Sequence, residues 1–166
     1  MSALEEKVLV SVCCTAYNHA KYIRSCLDGF VNQKTDFKYE VIVHDDASTD
    51  NSASIIQEYA AQYPDIIKPI YQTENQYSKG VCITPEIQIP RAKGKYIAIC
   101  EGDDYWIDAQ KLQKQVDFLE EHEEYVMSHT SVDYYYENVK RIINYLNLNF
   151  LIIFLIYVIV VIIVCL

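Results

Sequence analysis

An apolar run that ends abruptly in acidic residues is the feature that most constrains the fold of this chain. Residues 96–100 are all apolar, and Glu101, Asp103 and Asp104 follow at once. A short run of this kind predicts a strand buried on both faces. In open α/β sheets, ligands bind beyond the carboxyl ends of such strands. Carboxylates at this place can bind Mg²⁺ or Mn²⁺ together with the phosphate oxygens of a substrate. The alternative is a solvated acidic turn.

A second strand pattern ends in paired aspartates. Residues 40–44 include three β-branched residues and lead into Asp45 and Asp46, and the polar residues that follow can cap a helix. Two such strands in one sheet would place their acids around one cleft. One aspartate would accept a hydrogen bond from a base or ribose, and another would hold a metal on a diphosphate. The alternative is that Asp45 and Asp46 only cap a helix and turn the chain.

The first predicted strand leads into a loop with a third candidate part of a nucleotide site. Residues 8–14 form the strand, and Thr15, Tyr17 and Asn18 follow it. Tyr17 could lie against a nucleobase while Thr15 or Asn18 bonds the edge of that base. The alternative is ordinary packing, which is the more frequent role of a lone loop tyrosine.

Strand and helix patterns alternate along the first 130 residues. The predicted strands cover residues 8–14, 40–44, 66–72, 95–100 and 125–129, and the predicted helices cover residues 20–33, 52–63 and 108–119. Pro69 places the third strand at a sheet edge, because proline cannot donate to a central ladder. Asp108 is expected to cap the last helix. The alternation predicts an α/β fold, a mostly parallel sheet covered by helices on both faces.

Five segments carry motifs in a fixed order between residues 8 and 130. They are residues 14–18, 43–50, 93–96, 101–106 and 108–119. Together they resemble the family 2 glycosyltransferases of the GT-A (Rossmann-like) fold, in particular bacterial members that build capsule, exopolysaccharide or lipopolysaccharide. The resemblance implies a metal-dependent, inverting enzyme. Such an enzyme moves a sugar from a nucleotide diphosphate, expected to be a UDP-sugar, to a glycan or lipid-linked acceptor.

The resemblance also implies roles for individual residues around the donor. Thr15 and Tyr17 would border the base, and Asp46 would recognise it. Arg91 could face the diphosphate. The full set expected to bind the nucleotide sugar is Thr15, Tyr17, Asn18, Asp45, Asp46, Arg91, Glu101 and Asp104.

The metal site is implied by the segment Glu101-Gly102-Asp103, which occupies the place of the family's Asp-x-Asp motif. Asp103 would ligate Mn²⁺ or Mg²⁺. Glu101 replaces the first aspartate of the motif and would face the ribose or a metal-bound water. Asp104 is expected either to support the metal ligands from behind or to face the sugar. Trp106 is expected either to anchor packing or to touch the ligand.

The sequence offers no clear general base, which an inverting enzyme needs to take the proton of the acceptor hydroxyl. The acidic residues between 117 and 124 look like a solvated helix face, and His122 and His129 are isolated. The catalytic residue therefore stays unidentified. Two other functions stay open: a nucleotide-binding remnant that lacks an acceptor half, and a membrane-anchored interaction module.

Net charge and cysteine content indicate which kinds of partner and which cellular compartment to expect. The 166 residues include 14 basic and 23 acidic ones, for a net charge of −9. No basic surface for nucleic acid is therefore expected. The six cysteines show no Cys-x-x-Cys spacing, which favours reduced, buried thiols in a cytoplasmic domain. Glu5 and Glu6 do not suit a secretory leader.

The end of the chain differs in character from residues 1–133, which we interpret as the nucleotide-sugar-binding domain. No charged residue follows Arg141, and residues 146–166 approach the roughly 20 apolar residues that span a bilayer. We therefore expect an apolar C-terminal helix within residues 134–166 that could anchor the domain to the cytoplasmic face of a membrane, with Lys140 and Arg141 on that side. The alternatives are a buried helix or strand, or a degenerate coding stretch.

Overall fold

Six strands form one sheet, which contains every strand predicted before residue 130. The computed structural model of the protein describes residues 7–131, together with the backbone of residues 133–136, 141–144 and 162–165. The strands are β1 (Val8–Ala16), β2 (Lys38–Asp45), β3 (Ile67–Tyr71), β4 (Tyr96–Glu101), β5 (Met127–His129), β6 (Asp133–Tyr136), β7 (Arg141–Asn144) and β8 (Ile162–Cys165). The order across the sheet is β3-β2-β1-β4-β8-β5, and β6 pairs separately with β7.

β1 is the centre of the parallel part of the sheet. It pairs in parallel with β2 on one side and with β4 on the other, and β2 pairs in parallel with β3. Val10, Val12 and Cys14 of β1 are fully buried, as expected of a strand covered on both faces. Pro69 lies in β3, at the edge of the sheet. The edge position predicted from its missing N–H is therefore confirmed.

Three helices pack against one face of this sheet. They are α1 (Ile23–Val31), α2 (Ser52–Gln62) and α3 (Lys111–Glu121). Ile23, Ile56 and Leu112, one from each helix, belong to a single buried core that also includes Val12 of β1 and Val43 of β2. Each helix therefore turns the apolar stripe expected from its sequence toward the sheet.

The third helix begins later than predicted, and the prediction that Asp108 caps it is wrong. The residue that precedes α3 is Gln110. The Asp108 carboxylate accepts a hydrogen bond from the backbone nitrogen of Gln110 at 2.9 Å, and it pairs with Lys114 at 2.8 Å. A short-range bond of this kind closes a turn before the helix, which competes with true capping.

Short helical turns cover the opposite face of the sheet. Residues Thr84–Gln88 form one turn of π-helix, and Ile89–Arg91 form a 3₁₀ turn. The buried amide of Gln88 donates to the carbonyl oxygens of Cys14 and Ile42, both at 2.9 Å. These bonds fasten the segment to β1 and β2, so that the sheet carries helical structure on both faces, as predicted.

The expected apolar C-terminal helix is not found where the structure describes the tail. Ile162–Cys165 is strand β8, which pairs antiparallel with β4 and with β5. Its run of isoleucine and valine fits a strand better than a helix, because β-branched side chains pack well on a pleated surface. Residues 145–161 of the predicted membrane segment lie outside the described residues. No helix in the described part of the chain is long and apolar enough to span a bilayer, and the division at residue 133 stays a prediction.

Candidate functional site

The acidic turn after β4 is fixed to the end of the central strand. Thr15 of β1 lies between His44 of β2 and Glu101 of β4 in the parallel register. Immediately beyond β4, the backbone nitrogen of Gly102 donates to the carbonyl oxygen of Thr15 at 2.8 Å. The three strands therefore end at the same edge of the sheet, with β1 in the middle.

The paired aspartates lie on the other side of the same strand end. Ala16 of β1 is in register with Asp45 of β2, and the backbone nitrogen of Asp46 donates to the carbonyl oxygen of Ala16 at 2.9 Å. Neighbouring strands are about 4.8 Å apart, so the ends of β2 and β4 are separated by only about 10 Å. The structure thus brings together the two acidic strand ends that the sequence singled out.

Three carboxylates lie close together at the end of β4, and the pKa values of two of them are raised. Burial, and then the charges of Asp103 and Glu101, raises the pKa of Asp104 to about 6. Burial and the charge of Asp103 also raise the pKa of Glu101. The Asp103 side chain itself is 42% exposed. A cation at this turn would relieve the repulsion and could reach an open carboxylate.

His19 lies against this acidic turn, and the sequence analysis did not identify it. Its side chain is only 20% exposed, and its Nε2 is 4.0 Å from Oδ2 of Asp103. A Cβ atom on Gly102 would lie 2.9 Å from Nδ1 of His19, so the glycine is what lets the ring approach. The one signal in the sequence is the position of His19 directly after Asn18, in the loop that ends β1.

Asp46 has both carboxylate oxygens engaged with the backbone. Its side chain is almost fully buried, and it accepts hydrogen bonds from the backbone nitrogens of Gln76 at 2.7 Å and Tyr77 at 3.0 Å. Asn75 adds a bond from its side-chain amide to the carbonyl oxygen of Asp46 at 3.2 Å. Asp46 therefore holds the loop after β3 against the end of β2. Its role in base recognition stays a prediction.

Asp45 keeps one unused acceptor. Its Oδ2 accepts a hydrogen bond from the backbone nitrogen of Ser48 at 3.2 Å. Its Oδ1 is buried and has no hydrogen-bond partner among the described residues. Burial and then the Asp45 charge raise the pKa of Tyr71, the residue in register with it on β3. A buried acceptor without a donor is uncommon, and it distinguishes Asp45 from Asp46, whose two carboxylate oxygens both accept hydrogen bonds.

The loops after β1 and β2 are tied together by Asn18. Asn18 adopts a left-handed conformation with φ of 56°, its Oδ1 accepts the backbone N–H of Thr49 at 2.8 Å, and its backbone nitrogen donates to Oγ of Ser48 at 2.9 Å. Tyr17 beside it is 45% exposed. Asn18 is thus placed to shape the loop pair, and the Tyr17 ring is accessible at the strand edge.

The structure places Arg91 beside β2 and β3. It lines a groove of about 300 Å³ beside β2 and β3, together with Glu40, Lys68 and Lys93, and its guanidinium donates to the carbonyl oxygen of Ile87. Burial, and to a smaller degree the charge of Arg91, lowers the pKa of His44 near the end of β2. The contact of Arg91 with the diphosphate stays a prediction.

Trp106 is a packing anchor, which was one of the two roles expected for it. Its ring packs edge to face on Phe30 with the ring centroids 4.7 Å apart. A Cβ on Gly29 of α1 would lie 2.9 Å from the backbone nitrogen of Trp106. The buried amine of Lys111 lies 5.4 Å from the centre of the Trp106 ring. These contacts fix the chain that leaves the acidic turn against α1 and α3.

The acidic turn does not form a closed metal cage. In the part of the chain that the structure describes, no three histidine, cysteine, aspartate or glutamate side chains converge in a way that could hold a metal ion. The donor set nevertheless suits a hard cation that takes only one or two protein carboxylates and completes its shell with phosphate oxygens and water. Asp103, with its open carboxylate beside two repelling acids, is the residue that fits such an ion.

Comparison with known proteins agrees with the geometry. The sequence model of the family described as Glycosyl transferase family 2 matches residues 11–162. An uncharacterised protein of Mycobacterium tuberculosis (strain ATCC 25618 / H37Rv) is 45% identical over 129 residues, which make up 78% of this chain and 36% of that protein. The putative teichuronic acid biosynthesis glycosyltransferase TuaG of Bacillus subtilis (strain 168) is 34% identical over 115 residues, or 69% of this chain and 43% of that protein.

Solved structures with the same sheet carry nucleotide ligands. S. aureus TarS (residues 1–349) in complex with UDP has a TM-score of 0.59 at 29% identity, over 70% of this chain and 33% of that one. The mannosyltransferase PcManGT from Pyrobaculum calidifontis, in complex with GDP-Man and Mn²⁺, also has a TM-score of 0.59, at 28% identity over 69% of this chain and 33% of that one. This chain thus spans less than half the length of these relatives. It has the GT-A fold predicted from its motifs and belongs to glycosyl transferase family 2.

Proposed function

We propose that this chain binds a nucleotide-diphosphate sugar together with Mn²⁺ or Mg²⁺ at the edge formed by the ends of β1, β2 and β4. In the whole enzyme, the sugar is transferred with inversion to a glycan or lipid-linked acceptor in cell-surface polysaccharide synthesis. The observation that carries the proposal is that Thr15 and Ala16 hold the acidic ends of β4 and β2 on either side of one strand. One small molecule can reach both ends.

The proposed binding site of the cation is the acidic turn after β4. Asp103 is the proposed ligand, because its carboxylate is the open member of the acidic turn. Glu101 and Asp104, whose pKa values are raised by burial and by Asp103, supply negative charge close to the ion. When bound, the metal neutralises the charge that develops on the departing diphosphate.

The nucleoside belongs to the side of β1 and β2. The exposed ring of Tyr17 offers a stacking surface for a base. Asp45 has an unused carboxylate oxygen, and Asp46 holds the neighbouring loop through Gln76 and Tyr77. Asn18 keeps the loop pair in place. We therefore assign base recognition to this group of residues as a unit, with Asp46 acting at least in part by positioning the loop.

The ligands of the solved relatives support this class of donor. TarS has been seen with UDP and with UDP-GlcNAc, and PcManGT with GDP-Man and Mn²⁺. TuaG bears a name that refers to teichuronic acid biosynthesis, which supports a cell-surface polysaccharide as the product. A uridine nucleotide is our proposed donor, in line with the two TarS complexes that contain UDP and UDP-GlcNAc.

A second candidate is a domain that binds the donor without completing transfer. It is favoured by two of the three acids of α3, which are engaged elsewhere: Glu120 accepts from Lys95 and Tyr96, and Asp117 accepts from Gln113. Neither acid is free to take a proton from an acceptor.

Calorimetry of nucleotide binding tests the proposed site, and a sugar-transfer assay separates the two candidates. UDP is titrated with and without Mn²⁺ into the wild-type chain, into Asp103→Asn, and into Asp117→Asn as a control acid on the surface of α3. We expect Mn²⁺ to strengthen UDP binding in the wild type and in the control, and to have little effect in Asp103→Asn. A wild type whose UDP affinity ignores Mn²⁺ would overturn the metal assignment. Binding without transfer of sugar from a UDP-sugar to any acceptor would favour the second candidate.

A further inference from the structure

His19 occupies a specific place beside the proposed cation site, although no motif assigns it. Its ring is mostly buried between the end of β1 and the turn after β4, with Nε2 4.0 Å from Oδ2 of Asp103. Its charge, when present, would lower the pKa of Glu101. His19 is therefore within ion-pair distance of Asp103, and its imidazole can supply a hydrogen-bond donor.

The environment of the His19 ring favours one of its two neutral tautomers. Nδ1 is buried without a hydrogen-bond partner among the described residues, and it faces the α-carbon side of Gly102. An unpaired N–H there would be more costly than an unpaired lone pair, because under-satisfied acceptors are tolerated better than orphaned donors. The neutral ring therefore carries its proton on Nε2, the nitrogen that faces Asp103.

The backbone around His19 holds the ring in this place. The carbonyl oxygen of His19 accepts the N–H groups of Tyr22 and Ile23, both at 2.8 Å, where α1 begins. The next residue, Ala20, donates its N–H to Asp50 at 3.0 Å. The backbone that carries the ring is thus held in place independently of Asp103.

We propose that His19 is a positioning residue for Asp103: its Nε2–H donates to Oδ2 of Asp103 and holds that carboxylate in the orientation that binds the cation. The 4.0 Å separation is longer than a hydrogen bond, so the proposal requires a small rotation of one of the two side chains. This proposal rests on the proposed function, since it assumes that Asp103 is the metal ligand. Outer partners of ligating carboxylates orient them, and their loss commonly weakens metal binding by about 10-fold or more.

The test compares His19→Ala and His19→Gln with the wild type, and uses His122→Ala as a control because His122 pairs with Glu124 on the surface beyond α3. Electron paramagnetic resonance of free Mn²⁺ in the presence of UDP gives the metal affinity. Calorimetry without metal gives the UDP affinity, and thermal unfolding reports the fold. We expect His19→Ala to weaken Mn²⁺ binding by roughly 10-fold and to leave metal-free UDP binding unchanged. His19→Gln, which retains an N–H donor, should recover most of the loss.

Each outcome bears on a different claim. Equal Mn²⁺ affinity in His19→Ala and the wild type would overturn the positioning role. Equal losses in His19→Ala and His19→Gln, matched by equal losses of thermal stability, would mean that the ring only fills space beneath Gly102, and would overturn it as well. A wild type that binds no Mn²⁺ with UDP would instead refute the proposed function.

Discussion

The backbone N–H of Gly102 donates to the carbonyl oxygen of Thr15 at 2.8 Å, which fixes the acidic turn after β4 to the end of β1. Asp46 makes the corresponding bond on the other side, from its N–H to the carbonyl oxygen of Ala16 at 2.9 Å. These are main-chain bonds, so they do not depend on the acidic side chains themselves. Substitution of Asp103 or Glu101 should therefore change the chemistry of the site more than its shape.

Asp46→Ala is expected to destabilise the loop after β3. It leaves the N–H groups of Gln76 and Tyr77 without their carboxylate acceptor, and hydrogen bonds to a buried charged group are worth about 1.5–3 kcal/mol each. Urea unfolding should show a loss of roughly 3–6 kcal/mol, and the two amides should exchange their hydrogens faster. Asp65→Ala, at an exposed position, is the control and should stay within about 0.5 kcal/mol of the wild type. Unchanged exchange at Gln76 and Tyr77 would argue against this positioning role.

Gly102→Ala is expected to destabilise the protein through its contact with His19. The new Cβ would lie 2.9 Å from Nδ1 of His19 and from Cδ1 of Ile23, and 3.1 Å from the carbonyl oxygen of Thr15. Overpacking of this kind costs about 1–3 kcal/mol. In a His19→Ala background one of these three close contacts is removed, so the penalty should shrink.

A double-mutant cycle measured by urea unfolding checks this coupling. The interaction free energy between positions 19 and 102 should exceed about 0.5 kcal/mol. If the two penalties simply add, the close contact does not explain why glycine occupies position 102.

The fold could be predicted because its signals are local. The apolar runs before Asp45 and Glu101 mark buried strands, and the missing N–H of Pro69 marks an edge strand. All three inferences hold in the structure. The tail could not be predicted in the same way. An apolar run of isoleucine and valine is compatible with a helix or with a strand. In the structure, Ile162–Cys165 forms a strand that pairs with the edge of β4, a long-range pairing that the local sequence does not show.

The site could be predicted only in part, because a sequence does not show which bonds a side chain already makes. Asp46 and Asp103 each follow a strand pattern, which predicted that both lie at the same edge of the sheet. The pairing of β1 with β2 and with β4 brings the two turns to that edge. The spacing could not reveal that Asp46 is engaged by Gln76 and Tyr77, 30 and 31 residues further along the chain. His19 escaped notice because its importance comes from a contact with a turn more than 80 residues away in the sequence.

Lys111→Met is expected to change how stability depends on alkaline pH. Burial lowers the pKa of Lys111 to about 8, while the unfolded chain should have a value near 10.4. Between these two values the unfolded state binds more protons, so the stability of the wild type should rise with pH across that window. Methionine cannot titrate, and the rise should be lost.

Urea unfolding between pH 7.5 and 10 measures the Lys111 effect as a difference between variant and wild type. Methionine removes the donor used by Gln115 and Thr130, so a uniform loss of stability is compatible with the prediction. Lys34→Met, at an exposed position, serves as a control that should retain the slope. Parallel pH profiles for Lys111→Met and the wild type would contradict the lowered pKa.

Asp104→Asn is expected to stabilise the metal-free protein at neutral pH. The pKa of Asp104 is raised to about 6 by burial and by the charges of Asp103 and Glu101, and the unfolded value is near 3.9. Between pH 4 and 6 the folded state binds more protons, so this group's contribution to stability falls as the pH rises through that window and is least favourable above it. Asparagine removes the charge, and after allowance for partial exposure the gain at pH 7 should be about 1–2 kcal/mol.

Urea unfolding at pH 4.5 and at pH 7 gives the difference in unfolding free energy between Asp104→Asn and the wild type at each pH. This difference should be small at the lower pH and larger at the higher one. Saturating Mn²⁺ with UDP should narrow the gap at pH 7 by stabilising the wild type, whose third carboxylate then lies near a cation. An Asp104→Asn variant that is less stable than the wild type at pH 7 and no different at pH 4.5 would show that this carboxylate is held by favourable contacts and is not opposed by its neighbours.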